Sequence, residues 1–300
     1  MRKKILIFGG SGFIGSSLTK KLLEQKYQVC VVCSNKEKAI SNFSTDLLGL
    51  EIKIIDIFNE NEVVNLVKDY DVIINLIGKL FEAKKGDFAK FHHEFPRLLS
   101  CTISSKQHLI HISALGIEKS SKTSIYAKTK LDGQKAVTKN CKNYNIIKPS
   151  IVFGDYDNFF NLFAKMAKIS PFLPLIGGGK AKFSPVYVED LTRSIVFLTE
   201  DGEKYKNQIF ESYGPSVSSF EELMHFILKT TGRKKLLINL PFRIAKLQAN
   251  LINLFKIYLL TPDQVELLKY DNIASNEYDN IDKIIGNLKA YEEIVPKYLS

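Results

Sequence analysis

A serine, a tyrosine and a lysine follow one another in an order suited to proton transfer: Ser113, then Tyr126, then Lys130 four residues further on. A hydride passing to or from a carbonyl carbon needs a matching proton transfer at the oxygen. A phenol can give that proton in reduction or take it in alcohol oxidation. An unperturbed phenol titrates at about pH 10, too high for easy base chemistry, but a neighbouring ammonium favours the phenolate. Four-residue spacing on a helix puts Tyr126 and Lys130 on one face. Ser113 ends the strand-like run HLIHIS and would offer its hydroxyl to the same substrate oxygen, with Thr123 or Ser124 as lesser helpers. The competing reading is a packed tyrosine and a solvated lysine, so the surroundings must decide.

Those surroundings include a glycine turn. Gly9, Gly12 and Gly15 form GxxGxxG directly after the apolar strand KKILIFGG and at the start of a helical pattern. Gly9 and Gly12 let the chain turn tightly and bring backbone N–H groups to a pyrophosphate. Gly15 permits close helix packing, and the positive end of the helix meets the phosphate charge. The turn residues Gly9, Gly12, Phe13, Ile14 and Gly15 are therefore candidate dinucleotide contacts. At the end of the second strand no carboxylate is available to hold an unphosphorylated ribose. Ser34, Asn35 and Lys36, with Lys38 behind them, can contact a 2′-phosphate instead, which slightly favours NADP(H) over NAD(H); a solvated turn is the alternative. Asp56 either accepts from the adenine amino group, with Ile57 beside it, or caps the next helix. Gly78 allows backbone approach to the cofactor, and Asn75 either orients it or bonds locally.

The elements that must position these groups alternate. Ile14, Leu18 and Leu22 make one apolar face of a first helix. Strand candidates follow at YQVCVVC, EIKIID, DVIINLIG, QHLIHIS and YNIIKPSIVFG, with helical segments such as NENEVVNLVKDY and HHEFPRLLSCTISSK between most of them. Near-continuous apolar strands alternating with helices predict a parallel sheet covered on both faces. The alternation loosens after about residue 154. Two later helices carry capping boxes, Ser219 with Glu222 and Thr261 with Gln264, the latter with Pro262 in the first turn. Between them, LPFRIAKLQANLINLFKIYLL sets Ile244, Leu247, Leu251, Leu254, Phe255 and Tyr258 along one side. That face either packs on the chain's own core or serves as a lid, a subunit contact or a membrane-surface contact.

Composition narrows the classes. A chain of 300 residues, 45% hydrophobic and 25% charged, is globular. The formal charge of +10 is spread along the chain, and no basic and aromatic strip marks a nucleic-acid site. Cys30 and Cys33 sit in a strand-like run where residues three apart face opposite ways, a poor metal or redox pair. The five histidines show no ligand spacing, so no metal is expected. There is no eighteen-residue apolar run and no signal-peptide pattern, so a cytoplasmic location is expected, with peripheral contact at the inner membrane as an option.

The motifs GGSGFIG, Asp56, DVIINLIG, Ser113 and YAKTK resemble the extended short-chain dehydrogenase/reductase superfamily, which includes nucleotide-sugar epimerases and dehydratases. A narrower likeness runs through HISALGI, IIKPSIVFGDYDNFFNLFA, PFLPLIGGGKAKFSPVYVEDL, IFESYGPSVSSFEELM and LLTPDQVELLKYDNIAS. These are similar to the nucleotide-binding accessory subunit of respiratory complex I and its bacterial relatives. The resemblance implies a Rossmann-like doubly wound parallel sheet over residues 1–203, with a substrate-side excursion near 155–182, and a smaller, mostly helical substrate- or partner-facing region over 204–300. It implies a bound nicotinamide dinucleotide, Pro149 with Ser150 and Val152 beside the nicotinamide, Lys182 near a polar substrate group, and Phe159, Phe160 and Phe163 either in the core or around an apolar pocket. Three functions follow: an oxidoreductase acting on a quinone-related or other apolar substrate, a non-catalytic assembly subunit of a respiratory complex, or a nucleotide-sugar epimerase/dehydratase. The basic residue that the resemblance places around the turn after the second strand is absent at Cys33 and Ser34, with Lys36 the nearest basic side chain. The lack of a transit-like N-terminus favours a bacterial form.

Overall fold

A computed structural model describes residues 3–35, 37, 39, 40, 43, 48–254 and 260–299. Lys36, Lys38, Phe255 and Tyr258 lie outside the described residues, as does the side chain of Leu254.

The first half of the chain folds as strand and helix in alternation: β1 (Lys4–Phe8), α1 (Phe13–Glu24), β2 (Gln28–Val32), β3 (Leu50–Lys53), α2 (Glu60–Val67) and β4 (Val72–Asn75). A short turn, Asp87–Ala89, and a π-helical turn, Lys90–Glu94, then lead into α3 (Phe95–Thr102). Next come β5 (His108–Ile112), α4 (Ile125–Asn140) and β6 (Tyr144–Pro149). The run expected as one strand through residue 154 breaks after Pro149, and its remainder, β7 (Val152–Phe153), leaves the sheet.

Beyond it lie α5 (Phe160–Ile169), β8 (Phe172–Ile176), β9 (Lys182–Phe183), β10 (Val186–Tyr187) and α6 (Val188–Asp201). The chain re-enters the sheet at β11 (Gln208–Ser212). It ends in β12 (Ser218–Ser219), α7 (Phe220–Thr230), β13 (Leu236–Leu240), α8 (Phe242–Leu254), α9 (Pro262–Leu267) and short helical turns.

Seven strands pair in the order β11-β6-β5-β4-β1-β2-β3, every contact parallel. This is the doubly wound arrangement, and its direction of winding reverses between β1 and β4. Strand alternation feeds two cores. Ile5, Ile7, Val72, Ile74, Ile110 and Ile112 face α1 and α6, while Leu6, Phe8, Ile73 and Leu109 face α2, α3 and α4. A third core joins the later elements through Phe153, Phe160, Phe183, Phe220 and Tyr291. Phe159 and Phe163 pack against this cluster edge to face with their neighbours, so all three phenylalanines of the YDNFFNLF segment serve the core. Both capping boxes form as the sequence predicts.

The long apolar segment before α9 differs from its bland reading. Ala245 and Ala249 are the buried face of α8, in a small cluster with Ile176 and Val265. The larger Ile244, Leu247 and Leu251 are exposed. Small side chains let α8 lie close to α9, which turns the bulky stripe outward. Among the described residues no helix is long and apolar enough to cross a membrane.

Candidate active site

The carboxyl ends of β1 and β4 form the crevice at the switch point. Gly9 leaves β1 at φ +82°, a conformation favouring glycine, and its carbonyl accepts from Gly12 N–H at 3.1 Å. Ser16 N–H then donates to the Gly12 carbonyl at 2.8 Å, opening α1. A Cβ at Gly15 would stand 2.3 Å from the Gly9 carbonyl oxygen and 2.6 Å from the Gly10 backbone, so only glycine lets the helix rise this close to the turn. Gly10, which sequence reasoning passed over, is fixed equally by Val31, 2.7 Å from where its Cβ would lie. Phe13 reaches across to Gly154 after β7, and Ile14 packs on the first core. These features fit a dinucleotide held by the backbone of the turn, since side chains at Gly10 and Gly15 would crowd it.

At the second strand Cys33 is buried, whereas Ser34 and Asn35 are exposed and uncharged. Asp56 is exposed and its Oδ1 accepts from Phe58 N–H at 3.0 Å, while the cap of α2 is Asn59, accepting from Glu62 N–H. Asp56 is therefore not the cap. Ile57 packs on the second core. Asn75 is spent locally: its Oδ1 accepts from Ile77 N–H at 3.1 Å and its amide donates to His111 Nδ1 at 3.2 Å.

Tyr126 and Lys130 lie on α4, whose N-cap Ser124 accepts from Ala127 N–H at 3.1 Å. Lys130 is 4% exposed and donates to the Ile112 carbonyl at 3.1 Å. A Cβ at Gly78 would stand 3.2 Å from its Nζ, so the loop after β4 and the lysine meet directly. Burial brings the Lys130 ammonium down to about 8. Tyr126 is half-buried, its ring edge-on to Phe88 and His92, and no hydrogen bond among the described residues engages its hydroxyl. Burial, and then the Asp263 carboxylate, push this phenol up to about 12. The phenolate-favouring effect expected of Lys130 does not offset these, and Tyr126 stands protonated near neutral pH.

Ser113 is 3% exposed, and its hydroxyl donates to Gln134 Oε1 at 2.9 Å, one turn beyond Lys130. Pro149 is buried at the end of β6, its carbonyl taking Leu115 N–H at 2.9 Å, and the Ser150 hydroxyl is held by Asn272. Lys182 is exposed on β9, its N–H donating to Asp271. Gly9 packs on the backbone of the loop after β4, and Lys130 meets the same loop at Gly78; Ser34 follows β2, Asp56 follows β3, and Ser113 bonds to α4 through Gln134.

Three supports were not read from sequence. Asp263, on α9, takes hydrogen bonds from Ser124 Oγ at 2.7 Å, Ile125 N–H at 2.7 Å and Tyr126 N–H at 3.1 Å. His92 accepts from Lys79 N–H at 3.0 Å and faces Thr129 Oγ1 at 3.2 Å, which fixes its Nδ1–H tautomer. Burial first, with Lys130 and His111 adding to it, drives this imidazole down to about 2. Gly133 lets α4 press on the π-helical turn: a Cβ there would lie 1.8 Å from the His92 carbonyl oxygen. An isolated glycine inside a helical pattern was the one available signal for that contact.

Comparison with known proteins places this geometry. The sequence profile described as the NAD dependent epimerase/dehydratase family matches residues 5–211. The chain is 28% identical over 304 residues to NADH dehydrogenase [ubiquinone] 1 alpha subcomplex subunit 9, mitochondrial, of Arabidopsis thaliana, covering 95% of this chain and 75% of that protein. The Mus musculus protein of the same name is 27% identical over 286 residues, covering 93% and 74%. The dTDP-glucose 4,6-dehydratase of Bacillus anthracis str. Ames shares the fold at TM-score 0.74 and 16% identity, over 99% of this chain and 95% of that one. The UDP-glucuronic acid 4-epimerase of Bacillus cereus does so at 0.67 and 22%, over 79% and 87%. Both solved structures hold NAD. This corrects the NADP(H) preference expected from the β2 turn. The described part of that turn, Ser34 and Asn35, brings no cation to a 2′-phosphate, and the lysines on which the expectation leaned lie outside the described residues.

Proposed function

The chain belongs to the NAD dependent epimerase/dehydratase family, and from that premise we propose that it is an NAD-binding enzyme of the epimerase/dehydratase type acting on a nucleotide sugar. The observation that carries this reading is the Tyr126 hydroxyl, engaged by no hydrogen bond among the described residues and one helical turn from Lys130, which meets the Gly78 loop. The bound dinucleotide supplies the hydride acceptor. Backbone N–H groups of the Gly9–Gly15 turn and the end of α1 hold its phosphates. Lys130, buried and carrying a readily lost proton, would hold the nicotinamide ribose. Tyr126 holds the proton that passes to and from the substrate oxygen, and the raised phenol makes donation its resting role.

The test has two stages. Calorimetric titration with NAD checks the cradle, and absence of binding sinks the reading. Turnover is then measured on a panel of UDP-, GDP- and dTDP-sugars. Tyr126→Phe should lower it about a hundredfold or more while leaving NAD affinity unchanged.

A second reading, a nucleotide-binding subunit without turnover in a respiratory assembly, draws on the likeness to the mitochondrial subunit 9 proteins. The Ser113 hydroxyl held by Gln134 favours it, because that serine is not free for a substrate oxygen. Co-purification with NADH dehydrogenase subunits, unaffected by Tyr126→Phe, would support it over the first.

A further inference from the structure

The forty residues between Glu222 and Asp263 contain seven Lys or Arg and no Asp or Glu. The same segment exposes large apolar side chains on two elements. On α8, Ile244, Leu247 and Leu251 are 48%, 60% and 53% exposed, on the side opposite Ala245 and Ala249. On β13, Leu236 and Ile238 are exposed, and Phe172, in register with Leu236 on β8, is exposed beside it. Just ahead of β13, Lys229, Arg233, Lys234 and Lys235 line a surface hollow with His225. None of these four cations has a carboxylate partner among the described residues, whereas Lys246, on α8, is paired with Glu266 at 2.8 Å.

The geometry points to a docking surface for an anionic lipid bilayer, with the bulky stripe of α8 entering the headgroup boundary and the Lys229–Lys235 hollow taking the lipid phosphates. Large apolar groups turned outward cost solvation unless something covers them. A protein partner of ordinary composition would answer these four cations with scattered carboxylates. A bilayer answers both features at once, apolar depth beneath a sheet of negative charge. None of the residues that line the hollow belongs to the glycine turn, so the proposal stands independently of the nucleotide chemistry.

Co-sedimentation of the full chain with vesicles tests this. Binding is expected to phosphatidylcholine vesicles containing phosphatidylglycerol, and little to phosphatidylcholine alone. Raising salt from about 0.1 to about 1 M should release the protein, as the screening length falls from about 10 to about 3 Å. Arg233→Gln, Lys234→Gln and Lys235→Gln together should weaken binding about a hundredfold, at about fivefold per cation. Leu247→Asp with Leu251→Asp should abolish it, with an unchanged melting temperature and unchanged NAD titration showing that the fold persists. Equal binding to neutral and anionic vesicles would overturn the proposal. So would no binding by a sample that still takes up NAD, or a dimer in solution that the Leu247→Asp change dissociates.

Discussion

Replacing Asp263 probes whether the C-terminal part of the chain holds the reactive helix in place. Its carboxylate receives three donors at the start of α4, one from a hydroxyl and two from backbone N–H groups that the helix itself cannot satisfy. Ile125 is exposed, so water can replace the carboxylate at its N–H, but Ser124 is buried and Tyr126 half-buried. Net values of about 1.5–3 kcal/mol for a hydrogen bond to a charged group apply to the two sheltered donors and much less to the third. Asp263→Ala should therefore cost about 3–6 kcal/mol of unfolding free energy in urea titration. Asp263→Asn keeps an acceptor but loses the charge at the helix's positive end, and should cost about 1 kcal/mol. Ser124→Ala removes both a donor to Asp263 and the N-cap for Ala127, so the two alanine changes share an interaction. Their double-mutant cycle should give a coupling of about 1 kcal/mol. The Tyr126 phenol should also titrate lower once the carboxylate is gone. Additive losses, or a cost below about 0.5 kcal/mol for Asp263→Ala, would refute the reasoning.

Gly15→Ala should weaken NAD binding by at least about tenfold in calorimetry, because the new Cβ meets the backbone of Gly9 and Gly10 and must push α1 off the turn. Lys130→Met tests the buried ammonium. Its folded value of about 8 lies below its ordinary 10.5, so the unfolded chain binds the extra proton between these values and wild-type stability gains as pH rises through that window. The gain is about 3 kcal/mol relative to Lys130→Met, measured as the difference between the two proteins' stability curves. Burial likewise lowers His92, His108 and His111, to about 2, 4 and 3. Stability should fall as pH drops below about 6.5, where the unfolded chain takes up protons that the folded one refuses. Replacing His111 by Gln should make that acid-limb slope shallower by about 1.4 kcal/mol per pH unit.

The sequence by itself determined the sheet, the turn and the shared face of Tyr126 and Lys130. Near-continuous apolar strands leave few options for what lies inside, and Gly9 and Gly15 report a backbone path that other residues follow only with strain. The i, i+4 spacing of Tyr126 and Lys130 is a property of any helix, so their shared face needed no tertiary information. What only the tertiary structure decided was where each polar group spends its hydrogen bonds. Ser113 was legible as a strand-end hydroxyl, but its commitment to Gln134 depends on how α4 lies against β5. Asp263 is separated from Tyr126 by 137 residues, and nothing local to either announces the contact. The outward turn of Ile244, Leu247 and Leu251 follows the same logic, since an amphipathic pattern fixes which residues share a face but not which face the neighbouring helix chooses. Local periodicity is written along the chain; partnership across it is settled only when the cores pack and the remaining donors and acceptors find whatever lies within reach.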